Sequence, residues 1–566
     1  MNKKKKITSI LNKSSTLVEI FDYYVKNFPQ KKFLFKKNIE WEGSNFREIS
    51  KQVDKISSFF IYNGLKKGDR VLILSSNRPE WVVFDLAIMK GGGVTVPSFV
   101  TNNILDNKFI IKDCDPKFIV LENNIIYEKN KLLFKKISSK IILFENSKKF
   151  KCLESIVNVE YKKTSYPTIK KNDISTIIYT SGTSKDPKGV MLVHNSIIHN
   201  LEAALELIGD FSLEKERFLS FLPLSHSYER VAGLYFPLLV GAEIYFCSSL
   251  EKLMVDIKEV KPTIFSAVPR LYENIYKKIK VNITREGIFN NSLGTQFLSY
   301  LESKKKKLSL KNLVFRGLVK LLINRKIIGI FGGKIKVLIS GGAPLHPNIG
   351  YFFNNLDLPL IQGYGQTEAS PLISCNTKIR NAPESVGYPV KNVKIKISSE
   401  NEIIVKGNNV MKGYWKNKKL TKETIKNGWL YTGDLGFFDS FGRLVINGRK
   451  KDLIVTSGGD NISVSKIENL FSSQLEIEQI VIFGDNRPYL VALIVVDKEK
   501  ISEKKIKNLV NRLNSKVNTL EKIKKYKILT VPFSYDNGLM TQTHKLKRNK
   551  IFSYYKKEIL KLYNHK

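Results

Sequence analysis

ISTIIYTSGTSKDPKGV, residues 174–190, holds the two textures that decide the fold. Ile174 to Tyr179 is a short run of β-branched and aromatic residues, which reads as a buried strand. It runs directly into Thr180, Ser181, Gly182, Thr183, Ser184 and Lys185, and then Asp186-Pro187-Lys188-Gly189-Val190. Small residues there let backbone N–H groups approach a polyphosphate, the hydroxyls donate to its oxygens, and Lys188 offsets its charge. The stretch is not a Walker phosphate loop, because its lysine precedes the last glycine and lacks the required spacing. Any four of these residues could sit in an ordinary polar loop, whereas the unbroken string points to nucleotide phosphate.

Outward from this strand the same alternation recurs. Phe46 to Tyr62 has helical spacing, Arg70 to Leu74 is a buried-strand run, Trp81 to Met89 is helical, and Gly91-Gly92-Gly93 turns into a strand at Val94 to Pro97. Further strands read at Lys117 to Leu121, Phe218 to Leu222, Thr263 to Ala267 and Lys334 to Ile339. The pattern predicts a doubly wound α/β architecture with parallel sheet, where ligands bind beyond the carboxyl ends of strands. From about Val386 short strands and turns predict a small β unit. From Arg449 a separate α+β domain is expected, with a helix at Val464 to Ser472, strands at Gln479 to Phe483 and Tyr489 to Val496, and a basic helix at Ser502 to Leu520. The division is therefore 1–448 and 449–566, and 566 residues suffice for two or more cores.

Further motifs follow in order: Leu222 to Arg230 (LPLSHSYER), Val268 to Glu273 (VPRLYE), Ser340 to Leu345 (SGGAPL), Gln362 to Glu368 (QGYGQTE), Tyr431 to Asp434 (YTGD), Gly448 to Leu453 (GRKKDL), Ser457-Gly458-Gly459, and Gly538 to Arg548 (GLMTQTHKLKR). Together with Tyr179 to Val190 they resemble the adenylate-forming, AMP-binding superfamily across nearly the whole chain, and its long-chain fatty acid–CoA ligases in particular. Two departures stand out: Lys185 replaces a usual glycine, and Gln542 replaces a usual proline.

The resemblance implies ATP, Mg2+ and coenzyme A as partners of the site. Thr180, Ser181, Gly182, Thr183, Ser184 and Lys188 would hold the polyphosphate. Gly342, Ala343 and Pro344 would lie against adenine, where glycine permits close backbone approach. Tyr364, between Gly363 and Gly365, would stack on the purine. Thr367 would contact the α-phosphate, and Glu368, with Thr183, would hold Mg2+ through hard oxygens. His226 would line the acyl or adenylate site, Asp434 and Arg449 would reach ribose, Lys451 would be the pivot between domains, and Gly458 with Gly459 would leave room for the pantetheine arm. Lys545 would bridge the substrate carboxylate and the α-phosphate. Taken alone, His226 reads as a structural histidine, and Lys545, Lys547 and Arg548 as a solvated basic patch. The activity implied is a two-step ligation through an acyl-adenylate to a thioester, with acyl carrier protein as the alternative acceptor.

Bulk properties bound this reading. Against 52 acidic residues stand 94 basic ones, a net charge of +42. The basic residues are spread along the whole chain, which favours a solvated lysine surface over a nucleic-acid interface. Such a surface would attract anionic partners, acidic lipid headgroups included. Cys114, Cys152, Cys247 and Cys375 lie far apart without a C-x-x-C pair, so neither a zinc site nor a disulfide scaffold is expected, and a reducing, cytoplasmic interior fits. The lysine-rich start is followed by no signal-peptide h-region, and the longest uncharged apolar stretch, Val231 to Ala242, is too short to span a bilayer. Leu313 to Ile323, within an insertion between Tyr272 and Gly332 that also holds Lys304 to Lys307, reads as an amphipathic helix. It either lies on a membrane face near the acyl entry or packs on the large domain.

Overall fold

The computed structural model describes residues 3–134, 140–161, 165–180, 186–208, 211–285, 298–304, 327–458, 460–496, 502–534, 536–540 and 546–564. Among them the strand Ile174–Thr180 lies inside an eight-stranded sheet. Across that sheet the order is Gly413–Tyr414, Lys188–Val193, Ile174–Thr180, Val94–Ser98, Arg70–Leu74, Phe118–Leu121, Lys140–Leu143 and Lys151–Cys152. From Ile174–Thr180 to Lys151–Cys152 every pairing is parallel. Lys188–Val193 and Gly413–Tyr414 run antiparallel, which corrects the expectation of a parallel sheet. A parallel return needs a crossover of about a dozen residues. The connection 181–187 is too short for that, so the chain doubles back with Thr180 opposite Lys188.

The helices flanking this sheet form for local reasons. Phe46–Tyr62 starts at Asn45, whose side chain accepts from the Glu48 amide at 2.9 Å while Glu48 accepts from the Asn45 amide at 2.8 Å. This reciprocal cap satisfies two otherwise orphaned donors. Phe46, Ile49, Val53, Ile56 and Phe60 recur at helical spacing on one buried face. Pro79–Lys90 is buried all round from Trp81 to Met89. It carries Asp85 into the core, where Arg230 meets it in an ion pair with both side chains sealed from solvent. Arg230 also donates to the Tyr235 hydroxyl at 2.9 Å and to Thr176 Oγ1 at 2.6 Å, and Thr176 Oγ1 donates to the Thr95 carbonyl at 2.7 Å. The network thus ties the strand that enters the phosphate loop to its parallel neighbour and to a helix. The stretch Val231 to Ala242 becomes a π-helical turn, Arg230–Tyr235, and a short helix, Phe236–Val240, both largely buried. No helix among the described residues is long and apolar enough to cross a membrane.

A second, five-stranded sheet runs Ile264–Ala267, Val337–Ser340, Leu360–Gly365, Leu372–Cys375 and Tyr388–Pro389. Its first three strands are parallel and the last two antiparallel, so this sheet is mixed too. A third sheet joins Arg217–Ser220 and Glu243–Phe246 to the hairpin Lys32–Lys37 and Trp41–Asn45. The expected small β unit is all antiparallel: Lys394–Ile397, Glu402–Lys406, Trp429–Phe438, Ile425–Lys426 and Leu444–Arg449.

Beyond Arg449 the chain passes through the 3-10 turn Lys450–Asp452 and packs round a core of its own that includes Val464, Ile467, Phe471, Ile480, Leu490 and Ile506. Helix Val464–Ser472 and strand Gln479–Phe483 fall where the sequence places them. The basic helix is shorter than expected, Glu503–Asn514. Its last residue turns away from the helix, Asn514 trading hydrogen bonds of 2.9 and 3.0 Å with the backbone of Ile523 at the start of the next strand. Of the insertion, the stretch Leu313 to Ile323 and Lys305 to Lys307 lie outside the described residues, and Lys304 pairs with Glu384 at 3.0 Å.

Candidate active site

The phosphate side is built on the hairpin Ile174–Thr180 and Lys188–Val193, which leaves Thr180 and Lys188 facing each other at its mouth. Ser181, Gly182, Thr183, Ser184 and the departing Lys185 lie outside the described residues. Both ends of the loop are anchored. At the entry the Tyr179 hydroxyl donates to Asp113 Oδ2 at 2.5 Å, and burial together with that carboxylate pushes the phenol's pKa up. At the exit the Trp415 amide donates to the Gly189 carbonyl at 2.7 Å. The Lys188 ammonium sits 5.6 Å from the centroid of the Tyr414 ring. Burial lowers its pKa and Lys451 lowers it further, while Glu368 and Glu423 act the other way. Lys188, Lys451 and Glu368 are therefore near one another, although the sequence separates them widely.

The stretches Leu222 to Arg230 and Gln362 to Glu368 come into contact where the hydroxyls of Ser227 and Thr367, both buried, lie 3.0 Å apart. Thr367 opens the 3-10 turn Thr367–Ala369 that follows the strand Leu360–Gly365, so Gly363, Tyr364 and Gly365 precede it on one strand. Asn200 holds the far side of the turn, donating to the Ala369 carbonyl at 3.2 Å and accepting from the Leu372 amide at 2.6 Å. His226 has a local task as well, its Nδ1 accepting from the Tyr228 amide at 3.2 Å to cap the helical turn Ser227–Glu229. Two tyrosines seat the glycine turn beside it. The hydroxyls of Tyr228 and Tyr272 donate to the Ile339 carbonyl at 3.3 and 3.0 Å, and the Tyr228 ring lies against Gly341. Gly342 adopts φ +84°, a conformation that side chains resist, and stands exposed with Ala343 and Pro344.

Asp434, for which the sequence implies a ribose role, is only 3% exposed. Its Oδ2 accepts from the Tyr364 hydroxyl at 2.7 Å and its Oδ1 from Arg449 Nε at 2.8 Å. A carboxylate has about four lone-pair positions, and these two bonds are the side-chain bonds Asp434 accepts among the described residues. Coulombic attraction to Asp434 raises the Arg449 pKa against the effect of its burial. Lys451 stands exposed in the turn Lys450–Asp452. Gly458 is exposed in the connection between strands Leu453–Val455 and Asn461–Ser463, and Gly459 lies outside the described residues.

Lys545 also lies outside them, with Thr541, Gln542, Thr543 and His544. The residues on either side pair with each other: Met540 bridges Leu546, and the Lys547 amide donates to the Leu539 carbonyl at 2.9 Å. Arg270 Nη1 lies 3.6 Å from Met540 Sδ, which sets this segment against the start of helix Pro269–Arg285. Arg548 does not belong to a solvated patch. It clamps Glu468 through two hydrogen bonds of 2.8 Å, a fork geometry that fixes the last helices to Val464–Ser472.

A magnesium ion fits the donor set. Glu368 Oε1 accepts from the Tyr414 hydroxyl at 2.9 Å, while no hydrogen bond to Oε2 occurs among the described residues. No cluster of three or more His, Cys, Asp or Glu side chains capable of caging a metal occurs among those residues either. Mg2+ is ordinarily held by one or two carboxylates plus substrate phosphates and water, so a single carboxylate such as Glu368 suits it. Sequence reasoning missed Tyr414, Asp113, Ser227 and the Arg230–Asp85 network. Only the burial of a charged pair, which no spacing rule reveals, could have flagged the last.

Comparison with known proteins extends over the same residues. The family model described as AMP-binding enzyme matches residues 21–415, and the model described as AMP-binding enzyme C-terminal domain matches 451–566. The long-chain-fatty-acid–CoA ligase FadD15 of Mycobacterium tuberculosis is 29% identical over 569 residues, covering 93% of each chain. Long chain acyl-CoA synthetase 3 of Arabidopsis thaliana is 29% identical over 616 residues, covering 96% of this chain and 91% of its own. Among solved structures, the adenylation domain of a carboxylate reductase from Mycobacterium chelonae has a TM-score of 0.79 at 20% identity, covering 99% of this chain and 93% of that one. An anthranilate CoA ligase, solved with anthranoyl-AMP, has a TM-score of 0.77 at 19% identity, covering 95% and 97%. These two likenesses establish the fold.

Proposed function

The chain belongs to the AMP-binding enzymes, and from that premise we propose that it is an ATP-dependent long-chain fatty acid–CoA ligase. The observation that carries this reading is the Ser227–Thr367 contact at 3.0 Å, which joins the acyl-side stretch to the phosphate-side turn. The substrate class follows the relatives, whose similarity covers 93% and 96% of this chain.

In the first step a carboxylate oxygen of the fatty acid attacks the α-phosphorus of ATP. The bond from that phosphorus to the bridging oxygen breaks, and pyrophosphate leaves. Attack by one anion on another is disfavoured, so the enzyme's task is to fix positive charge round the transition state and to align the reactants. The nucleophile is already ionised, and no general base is needed. Thr180, Ser181, Gly182, Thr183, Ser184 and Lys188 cradle the polyphosphate, Thr367 contacts the α-phosphate, and Lys545 bridges it to the carboxylate. Mg2+, held by Glu368 and Thr183, would neutralise phosphate charge. Asp434 and Arg449 receive the ribose. Tyr364, with Gly363 and Gly365 beside it, and Gly342, Ala343 and Pro344 enclose adenine. His226 lines the acyl approach.

In the second step the sulfur of coenzyme A attacks the acyl carbon, the bond from that carbon to the AMP oxygen breaks, and AMP leaves while the thiol proton goes to solvent. Residues 449–566 rotate about Lys451 between the steps. That motion withdraws Lys545 and brings in the turn containing Gly458 and Gly459. The enzyme works in a reducing interior, soluble or held peripherally through its lysine-rich surface.

The test is pyrophosphate release as a function of added acid, scanned over acyl chain length, followed by comparison of coenzyme A with acyl carrier protein as acceptor. Release is expected to peak with long-chain acids and thioester to form on coenzyme A. Failure of every fatty acid to elicit pyrophosphate would overturn the reading, and transfer to the carrier protein alone would change the acceptor.

A further inference from the structure

The segment Met411 to Trp415 belongs to none of the motifs described above, yet it touches both sides of the phosphate site. Its backbone bonds one way to the metal-side turn, the Met411 amide donating to the Glu368 carbonyl at 2.8 Å. It bonds the other way to the phosphate hairpin: Lys412 to the Met191 carbonyl at 2.9 Å and Trp415 to the Gly189 carbonyl at 2.7 Å. Gly413–Tyr414 is thereby the edge strand of the large sheet, with Tyr414 opposite Val190.

The local sequence explains this placement. Gly413 adopts φ +140°, and a Cβ there would fall 2.7 Å from Thr421 Cγ2, so no other residue turns the chain as closely. Thr421 in turn accepts from the Tyr414 amide at 2.9 Å. The result is a tyrosine 7% exposed whose hydroxyl donates to Glu368 Oε1 at 2.9 Å while its ring lies 5.6 Å from the Lys188 ammonium.

We infer that Tyr414 is a positioning residue that sets the Glu368 carboxylate and the Lys188 ammonium in one fixed relation for a metal–triphosphate ligand. The hydroxyl occupies one carboxylate oxygen and so directs the other toward the ion. The ring face holds the ammonium by cation–π attraction while the triphosphate is absent. The two functions reside in different parts of one side chain, so substitution separates them. This inference rests on the adenylate-forming reading.

The experiment is ATP binding by titration calorimetry, without fatty acid, in Mg2+ and again in EDTA, on the full chain and its Tyr414→Phe and Tyr414→Leu variants. Melting temperature is recorded alongside. For the wild type, Mg2+ is expected to tighten ATP binding. Tyr414→Phe is expected to keep the EDTA affinity and the melting temperature and to lose about tenfold of the Mg2+-dependent gain, the worth of one hydrogen bond to a charged group. Tyr414→Leu is expected to lose EDTA affinity as well, because Lys188 loses its ring. A Tyr414→Phe protein with the full Mg2+ gain overturns the inference, and so does one that weakens equally in Mg2+ and in EDTA. A wild type that binds no ATP under either condition overturns the adenylate-forming reading and this inference with it.

Discussion

Replacing Glu229 by glutamine should remove a pH dependence of stability that the fold itself creates. Glu229 is 1% exposed, and its Oε1 accepts from the Ser220 hydroxyl at 2.7 Å. Burial pushes its pKa from the ordinary 4.5 up to about 8, and the hydrogen bonds from Ser220 and the Phe221 backbone only partly oppose this. Between those values the folded protein keeps a proton that the unfolded chain has released. Stability from this group is therefore complete below pH 4.5, declines as pH rises, and levels off above about 8. Each pH unit in the interval costs about 1.4 kcal/mol, which makes about 3 kcal/mol by pH 7. Glutamine has the same shape, accepts from Ser220 in the same way and does not titrate. Urea unfolding of both proteins at unit steps from pH 5 to 9 isolates the effect, because every other titrating group cancels in the difference. The variant's stability relative to wild type should climb by about 1.4 kcal/mol per unit up to pH 8 and then stay level. A difference that stays constant across the range would refute the claim that Glu229 is protonated in the fold.

Asp85→Ala should destabilise the protein by about 3–5 kcal/mol, because it leaves the Arg230 guanidinium buried without its partner. The double change Asp85→Leu with Arg230→Met should cost less than Asp85→Ala alone, a coupling that thermal melts of the variants can measure. Asp434→Ala removes the acceptor for Tyr364 and Arg449 and should raise the KM for ATP about tenfold or more, with a smaller change in kcat, in a pyrophosphate-release assay. Lys545→Ala should cut adenylation by about a hundredfold or more while leaving thioester formation from supplied acyl-adenylate near normal; equal loss of both half-reactions would sink the role given to domain rotation.

What could be read in advance was whatever depends on neighbours in sequence. The helix Phe46–Tyr62 and strands such as Arg70–Leu74 and Gln479–Phe483 follow from periodicity and end signals. The strand Ile174–Thr180 was legible because it is a compact run of β-branched and aromatic residues. Relations across the chain were not legible. Parallel order failed at Lys188–Val193 because loop length, not residue type, dictated the reversal. Arg230 reads as one more residue of the acyl-side string, yet it is a buried cation holding Thr176 and Asp85. Arg548 reads as part of a basic run, yet it clamps Glu468. Tyr414 lies in the two-residue edge strand Gly413–Tyr414, and its bond to Glu368 spans 46 positions of sequence.

The same distinction between near and far governs the charges. A net charge of +42 suggests that the surface draws in a nucleotide, but exposed charges are screened within about 8 Å at physiological salt. Selection must then come from the few charges inside the site. There burial disfavours the half-buried Lys188 cation and the exposed Lys451 adds to this, with Glu368 and Glu423 acting the other way. In the proposed function a triphosphate bound beside Lys188 would add negative charge there and favour the cation. Added salt should therefore slow capture by the exposed lysine surface more than it weakens the contact of a bound triphosphate with the half-buried Lys188.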